Sequence, residues 1–260
     1  MQKNNIERID IFGTKFSNIN IDEAFLLIKN YNFSIPNYIC FPSTNTIAKA
    51  YKFKEFQSIL NSGFLTIPDG KFTEIYARLK GFNKIRTISG YWLMDKLLQT
   101  NLSHFFYGAD NYTLEELKKV ILIKYPKANV LGYLSPPYLS LEEIYPNEII
   151  IEQIKYINSL KPDLIWIGIS TVKQDFLMSR YLKYLNHGLM LGVGAVFLYM
   201  AGIINKGPEW IKKLGLRWII RLIQEPKRLW KSTVPSLLFF IKLATKEFLY
   251  KIFKIKYFKT

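Results

Sequence analysis

The chain has 260 residues, 49% of them hydrophobic, and carries 36 Lys/Arg against 20 Asp/Glu for a net charge of +16. This length and apolar content exclude a largely disordered chain. One cysteine (Cys40) excludes an intrachain disulfide, and two distant histidines (His104 and His187) argue against a Cys/His zinc cluster. The charge calls for an anionic partner: nucleic acid, acidic lipid or a phosphorylated substrate. It is concentrated in residues 207–260, which hold thirteen basic and three acidic residues, a net of +10.

In chain order, the N-terminus lacks the apolar core of a signal peptide, which predicts a cytoplasmic protein. "YICFPSTNTIAKAYKF" reads as a strand end, a polar turn and a helix. "FLTIPDGKFTEIYARLKG" repeats that grammar, with a Pro-Asp-Gly turn and a helix closed by Gly81. "HFFYGADNYTLEELKKVILIKYP" gives a strand, a Gly turn and an amphipathic helix. Its apolar face is Leu114, Leu117, Val120 and Ile121, with Thr113 as the N-cap. "NVLGYL" is a short strand, and "EIIIEQIKYINSLKPDLIWIGIST" a helix, a Lys-Pro break and a strand over Leu164 to Ile169. The uncharged run 188–205 reads as a buried strand, a Gly turn and a buried helix rather than a membrane span. Strand–helix alternation of this kind predicts a parallel sheet covered on both faces. The fold class is therefore α/β, a Rossmann-like parallel-sheet core with a helical basic C-terminal appendage: the core spans 1–206, as an N-terminal part over about 1–103 and the Rossmann-like part over about 104–206, and the appendage spans 207–260.

Ligands on such sheets sit in the loops after the strands' carboxyl ends. Those loops carry Ser43 and Asn45, Asp69, Gly108, the trio Lys173-Gln174-Asp175, and Gly194. Each has two readings. Asp69 is a turn residue or a general base; Ser43 and Asn45 cap a helix or bind a ligand; Gly108 and Gly194 pack the backbone or let a helix N-terminus approach phosphate. No Walker A, G-x-S-x-G, H-E-x-x-H, paired-cysteine or D-x-D signature is present.

The order of these loops carries more than any one of them. "STN", "IPDG", "FFYGAD", "KPDLIWIGISTVKQD", "GVGAVFLYMAG" and "GPEWIKKLGLRWIIRLIQEPKRLW" together resemble the bacterial WecG/TagA/CpsF family of glycosyltransferases over residues 40–231. The most specific part is met by Pro208, Trp210, Leu214, Gly215, Leu216, Trp218, Arg221, Leu222, Glu225, Pro226 and Arg228. The resemblance implies an inverting, metal-independent transfer of an N-acetylmannosamine-like sugar from a UDP-sugar donor to a polyprenyl-diphosphate-linked acceptor, with no cofactor. Cell-wall teichoic acid, capsule or other surface polysaccharide would be the product. It implies Asp69 as general base, and Ser43, Asn45, Arg86, Gly108, Gln174, Gly194, Arg221 and Arg228 as substrate-binding residues. Several positions depart from the family pattern: Trp92, Val172, Leu198 and Arg217 stand where Asp, Pro, Asp and Glu are usual, Ser43 and Asp175 stand where Thr and Glu are usual, and Arg86 sits one residue early.

On one continuous helix Arg217, Arg221 and Arg228 would share a face, but Pro226 predicts two short helices meeting at Glu225-Pro226. The tail beyond 231 alternates apolar, aromatic and lysine residues, as an interfacial helix on an anionic membrane surface would. The expected location is therefore peripheral, on the inner face of the cell membrane. No nucleic-acid motif accompanies the basic charge. A catalytically inactive, membrane-associated scaffold of a polysaccharide assembly complex is the alternative that the drifted motifs leave open.

Overall fold

The computed structural model of the chain describes residues 6–138, 140–141, 148–205, 207, 220, 223 and 226–257. It opens with an antiparallel hairpin, β1 (Arg8–Ile11) and β2 (Thr14–Ser17), which the sequence reading did not include. Its two-residue turn, Phe12-Gly13, has positive φ at both positions (55° and 84°), the backbone that matches the twist of paired strands. Then follow α1 (Ile21–Lys29), β3 (Asn37–Cys40), α2 (Thr44–Lys52), α3 (Lys54–Ser62), β4 (Leu65–Thr66), α4 (Lys71–Leu79) and α5 (Gly90–Leu97). The second half is β5 (Ser103–Gly108), α6 (Asn111–Lys124), β6 (Asn129–Leu134), α7 (Glu148–Leu160), β7 (Leu164–Gly168), α8 (Lys173–Tyr181), β8 (Leu189–Gly192) and α9 (Val196–Met200). A final helix, α10 (Pro226–Tyr257), runs for 32 residues.

Strands β3 to β8 form one six-stranded sheet in the order β4-β3-β8-β7-β5-β6, with every pairing parallel. The Rossmann-like expectation holds for the sheet but not for its expected confinement to about 104–206: β3 pairs with β8, and β4 with β3, so residues on both sides of 103 build one sheet. Every residue of β5, β7 and β8 is buried, as strands covered on both faces must be. Alternate residues feed two cores. Ile39, Phe106, Trp166 and Leu191 pack under α1, α5, α6 and α9. Cys40, Phe105, Tyr107, Ile165, Ile167 and Met190 pack under α3, α7 and α8. A third cluster joins the hairpin to α2, α4 and α10 through Ile9, Ile11, Phe16, Ile47, Tyr76 and Phe240.

One local expectation changes and another holds. Helix α6 begins at Asn111, and its N-cap is Asp110, whose carboxylate accepts the Thr113 N–H at 2.7 Å; Thr113 lies inside the first turn. The run 188–205 is β8, a glycine turn and the short α9, and among the described residues no helix is long and apolar enough to cross a membrane. Helix α10 is described from Pro226 and contains Pro235; the expected meeting of two helices at Glu225-Pro226 falls partly outside the described residues.

Candidate active site at the carboxyl ends of the strands

The strand order reverses between β5 and β7: β5 leads outward to β6, whereas β7 leads back to β8. Such a switch point opens a crevice above the sheet. Its floor is Gly108 and Gly168. The Ala109 N–H donates to the Gly168 carbonyl at 3.0 Å. Gly108, at φ 125°, has no room for a side chain, since a Cβ there would lie 2.7 Å from the Gly168 carbonyl carbon. Gly108 thus shapes the crevice through its backbone. The N-terminus of α6 above it is already capped by the exposed Asp110, whose carboxyl the Thr113 N–H holds below the usual range. An acid in that place suits sugar or ribose hydroxyls better than phosphate.

On the other side of the sheet lie the loops after β3 and β4. The Asp69 N–H donates to the Pro42 carbonyl at 3.1 Å, and this ties the Pro-Asp-Gly turn to the loop that carries Ser43 and Asn45. Asp69 is exposed at that strand end. Ser43 spends its hydroxyl as the N-cap of α2, on the Thr46 N–H at 3.3 Å and the Thr46 hydroxyl at 3.1 Å. Asn45 faces the C-terminal helix, where its Oδ1 accepts from the Ser236 hydroxyl at 2.9 Å.

A connecting segment, 86–90, links the two sides. Buried Glu74 on α4 accepts the Thr87 N–H at 2.8 Å and pairs with Lys71 at 2.9 Å. Burial alone would raise the Glu74 carboxyl, but the Thr87 N–H and the Lys71 ammonium hold it below the ordinary range. At the other end Gly90 packs on Val193: a Cβ there would sit 3.1 Å from its Cγ1. Arg86 lies in this segment, half-buried, and its guanidinium donates to the Asn83 and Ile85 carbonyls at 2.7 and 2.8 Å.

The ends of β7 and β8 form the centre. Gln174 is 3% exposed, and its Nε2 donates to the Gly192 carbonyl at 2.8 Å. Its Oε1 has no donor among the described residues. Gly194 gives its N–H to the Ile167 carbonyl at 3.2 Å, so that amide is not available to a phosphate. With α9 only five residues long, the expected helix-terminus contribution at Gly194 reduces to backbone shape. Val172, a β-branched residue, is held at φ 76°, ψ −58°, where the Asp175 carboxylate accepts its N–H at 3.3 Å. A branched residue in that region is strained, and strain of this kind gathers at functional loops.

Arg221 and Arg217 lie outside the described residues, and Arg228 falls on the first turn of α10 with its side chain outside them. The structure therefore brings together Ser43, Asn45 and Asp69, places Gln174 and Gly194 at the sheet centre, and sets Gly108 across the switch point. Glu74, Lys71, Asp110 and Ser236 were not singled out from the sequence. The Lys71/Glu74 pair had a signal in its three-residue helical spacing next to the Pro-Asp-Gly turn; Ser236 had none, being 191 residues from its partner.

A parallel α/β sheet whose strand ends gather a carboxylate, amides and glycine turns is of the Rossmann-like class, a frame on which many sugar- and nucleotide-handling enzymes are built. Residues 9–252 match the Glycosyl transferase WecG/TagA/CpsF family. The chain belongs to that family and is a glycosyltransferase; the match reaches beyond residues 40–231 to take in the hairpin and most of α10. It is 26% identical over 255 residues (95% of this chain, 96% of the relative) to the N-acetylglucosaminyldiphosphoundecaprenol N-acetyl-beta-D-mannosaminyltransferase of Staphylococcus aureus strain MW2. It is also 26% identical over 186 residues (70% and 69%) to the protein of the same description from Bacillus subtilis strain 168.

Proposed function

We propose that this chain moves N-acetylmannosamine, or a closely related N-acetylated amino sugar, from a UDP-sugar to a polyprenyl-diphosphate-linked N-acetylglucosamine. The product would enter teichoic acid or another surface polysaccharide. The observation that carries this reading is the exposed Asp69 at the end of β4, tied through Pro42 to the Asn45 loop, in a chain whose relatives bear that activity. The acceptor hydroxyl attacks C1 of the donor sugar while Asp69 takes its proton. The new O–C1 bond forms as the bond from C1 to the diphosphate oxygen breaks, with inversion at C1. Base catalysis of this kind contributes roughly 10²–10⁴-fold.

Negative charge grows on the departing UDP. Arg221 and Arg228, the family-matched cations, are assigned to it, so no metal is required by this scheme. Asp110 is assigned to hydroxyls of the nucleotide or sugar. The Arg86 guanidinium, hydrogen-bonded to its own loop, holds segment 86–90 in shape and reaches substrate only by leaving those carbonyls. The buried Gln174 orders the β8 turn through Gly192 and offers Oε1 as an acceptor beneath the bound sugar.

The acceptor is lipid-linked, so the enzyme works at an anionic membrane surface on the inner face of the cell membrane. The outward side of α10 supports this: Trp230, Leu238, Ile241, Phe248 and Leu249 are exposed there, with Lys227, Lys231, Lys242 and Lys246 among them. A UDP-release assay across a panel of UDP-sugars, with polyprenyl-diphosphate N-acetylglucosamine as acceptor and EDTA present, tests the reading. Release that needs both the acceptor and an N-acetylated amino sugar supports it. Binding to vesicles without transfer of any sugar would leave the scaffold alternative instead.

A further inference from the structure

We propose that Ser236 is a positioning residue for Asn45, through which helix α10 sets the substrate-facing end of the Asn45 amide. The inference rests on the reading of Asn45 as a substrate-binding residue and adds to it the element that controls that residue. The Ser236 hydroxyl lies 2.9 Å from Asn45 Oδ1 and 2.7 Å from the Ser232 carbonyl. It has one hydrogen, shared between those two acceptors. Asn45 Oδ1 is therefore engaged from the helix side. Its two Nδ2 hydrogens have no partner among the described residues and are left for an oxygen of the substrate, a sugar hydroxyl or a diphosphate oxygen.

The rest of the helix fixes this contact in place. One turn on, Phe239 meets Tyr51 of α2 with ring centroids 5.5 Å apart, and Lys52 lies over the Phe239 ring. Phe240 is buried against Phe12 and Tyr76 at 5.2 and 5.9 Å. Further along, Glu247 accepts from the Tyr76 hydroxyl and pairs with Lys80 at 2.7 Å. Those anchors hold α10 whether or not Ser236 has its hydroxyl. A change confined to Ser236 therefore alters the orientation of the Asn45 amide without releasing the helix.

The experiment is steady-state transfer from UDP-N-acetylmannosamine to polyprenyl-diphosphate N-acetylglucosamine, by the full-length chain, in a mutant cycle. Ser236→Ala should lower kcat/KM by about three- to tenfold, the worth of one hydrogen bond, with its thermal midpoint and vesicle binding near wild type. Ser236→Thr, which keeps a hydroxyl, should restore most of the loss. In an Asn45→Ala background the Ser236→Ala change should have no further effect, because the group it positions is gone. An equal Ser236→Ala effect in both backgrounds overturns the proposal, as does a wild-type-like Ser236→Ala enzyme beside an impaired Asn45→Ala enzyme. A wild-type-like Asn45→Ala enzyme overturns the reading of Asn45 itself, and the proposal with it.

Discussion

Asp175 carries a pH dependence that one substitution isolates. Its side chain sits in the first turn of α8, 1% exposed, against the Cys40 thiol and the Val172 N–H. Burial pushes its pKa from 3.8 up to about 6, against the opposing pull of those two hydrogen bonds. The shift is roughly two units, or about 3 kcal/mol at 1.36 kcal/mol per unit. The folded protein therefore holds this proton more tightly than the unfolded chain does. Its contribution to stability declines as pH rises from about 4 to about 6, and above that window the ionised form costs about 3 kcal/mol. Tyr38 and Cys40, the ionisable groups facing it from β3, both have raised pKa values and stay neutral throughout; Arg8 is the cation that acts on both of them. Asp175→Asn keeps an acceptor for the Val172 N–H and cannot ionise. It should be more stable than wild type by about 1–3 kcal/mol at pH 8, and the gap should close toward pH 4.5. Paired urea titrations at the two pH values measure this. Carboxylates with lowered pKa values, Glu23, Glu74, Asp95 and Asp110, weaken both proteins equally in acid and cancel in the difference. A gap of the same size at both pH values would refute the reasoning.

Asp69→Asn should reduce transfer by 10²-fold or more while UDP still binds by calorimetry; near-normal turnover would remove Asp69 as the base. Phe240→Ala, at a side chain only 4% exposed, should cost about 3–5 kcal/mol in denaturant titration; a loss below 1 kcal/mol would mean α10 does not pack there in solution. Exchanging both Lys242 and Lys246 for Glu should weaken sedimentation with anionic vesicles by at least tenfold, at about 1 kcal/mol per lysine, and leave thermal stability unchanged. Equal binding by the exchanged protein would place the membrane contact elsewhere.

Much of the sheet was legible because fully buried parallel strands announce themselves: "HFFYG", "LIWIG" and "LMLG" are short apolar runs bounded by turns. The hairpin escaped because its strands are four residues each and its turn is Phe-Gly, not the common Asn-Gly. The α6 cap was misplaced by three residues because Asp110, Asn111 and Thr113 are all competent caps, and only the backbone decides among them. At the candidate site, the strand-end loops are what single out Asp69, Asn45 and Gln174 in the sequence. It did not disclose that Ser43 and the Gly194 amide are spent internally, since hydrogen-bond partners of that kind depend on packing. Nor could it pair Ser236 with Asn45 or Glu247 with Lys80, contacts that close loops of more than 160 residues.

Helix α10 explains why the tail read in two ways. At about 100° per residue, Ser236, Phe240 and Glu247 fall together on one side, and these are the residues that meet the core. Leu238, Ile241 and Leu249 fall roughly opposite, with Lys231 and Lys242 beside them, and these are exposed. A helix apolar on both sides needs a partner on each, and the described residues of the domain supply one. Packing on the domain and resting on a lipid surface are therefore compatible roles of the same helix. Deleting residues 233–260 would not separate them, because it also uncovers Phe12 and Tyr76. Lost membrane binding in that deletion could follow from a damaged core alone. Substitution on the outward side, as in the Lys242 and Lys246 pair, changes the lipid-facing charge and leaves Phe240 buried, so a selective loss of vesicle binding would assign that side to the membrane.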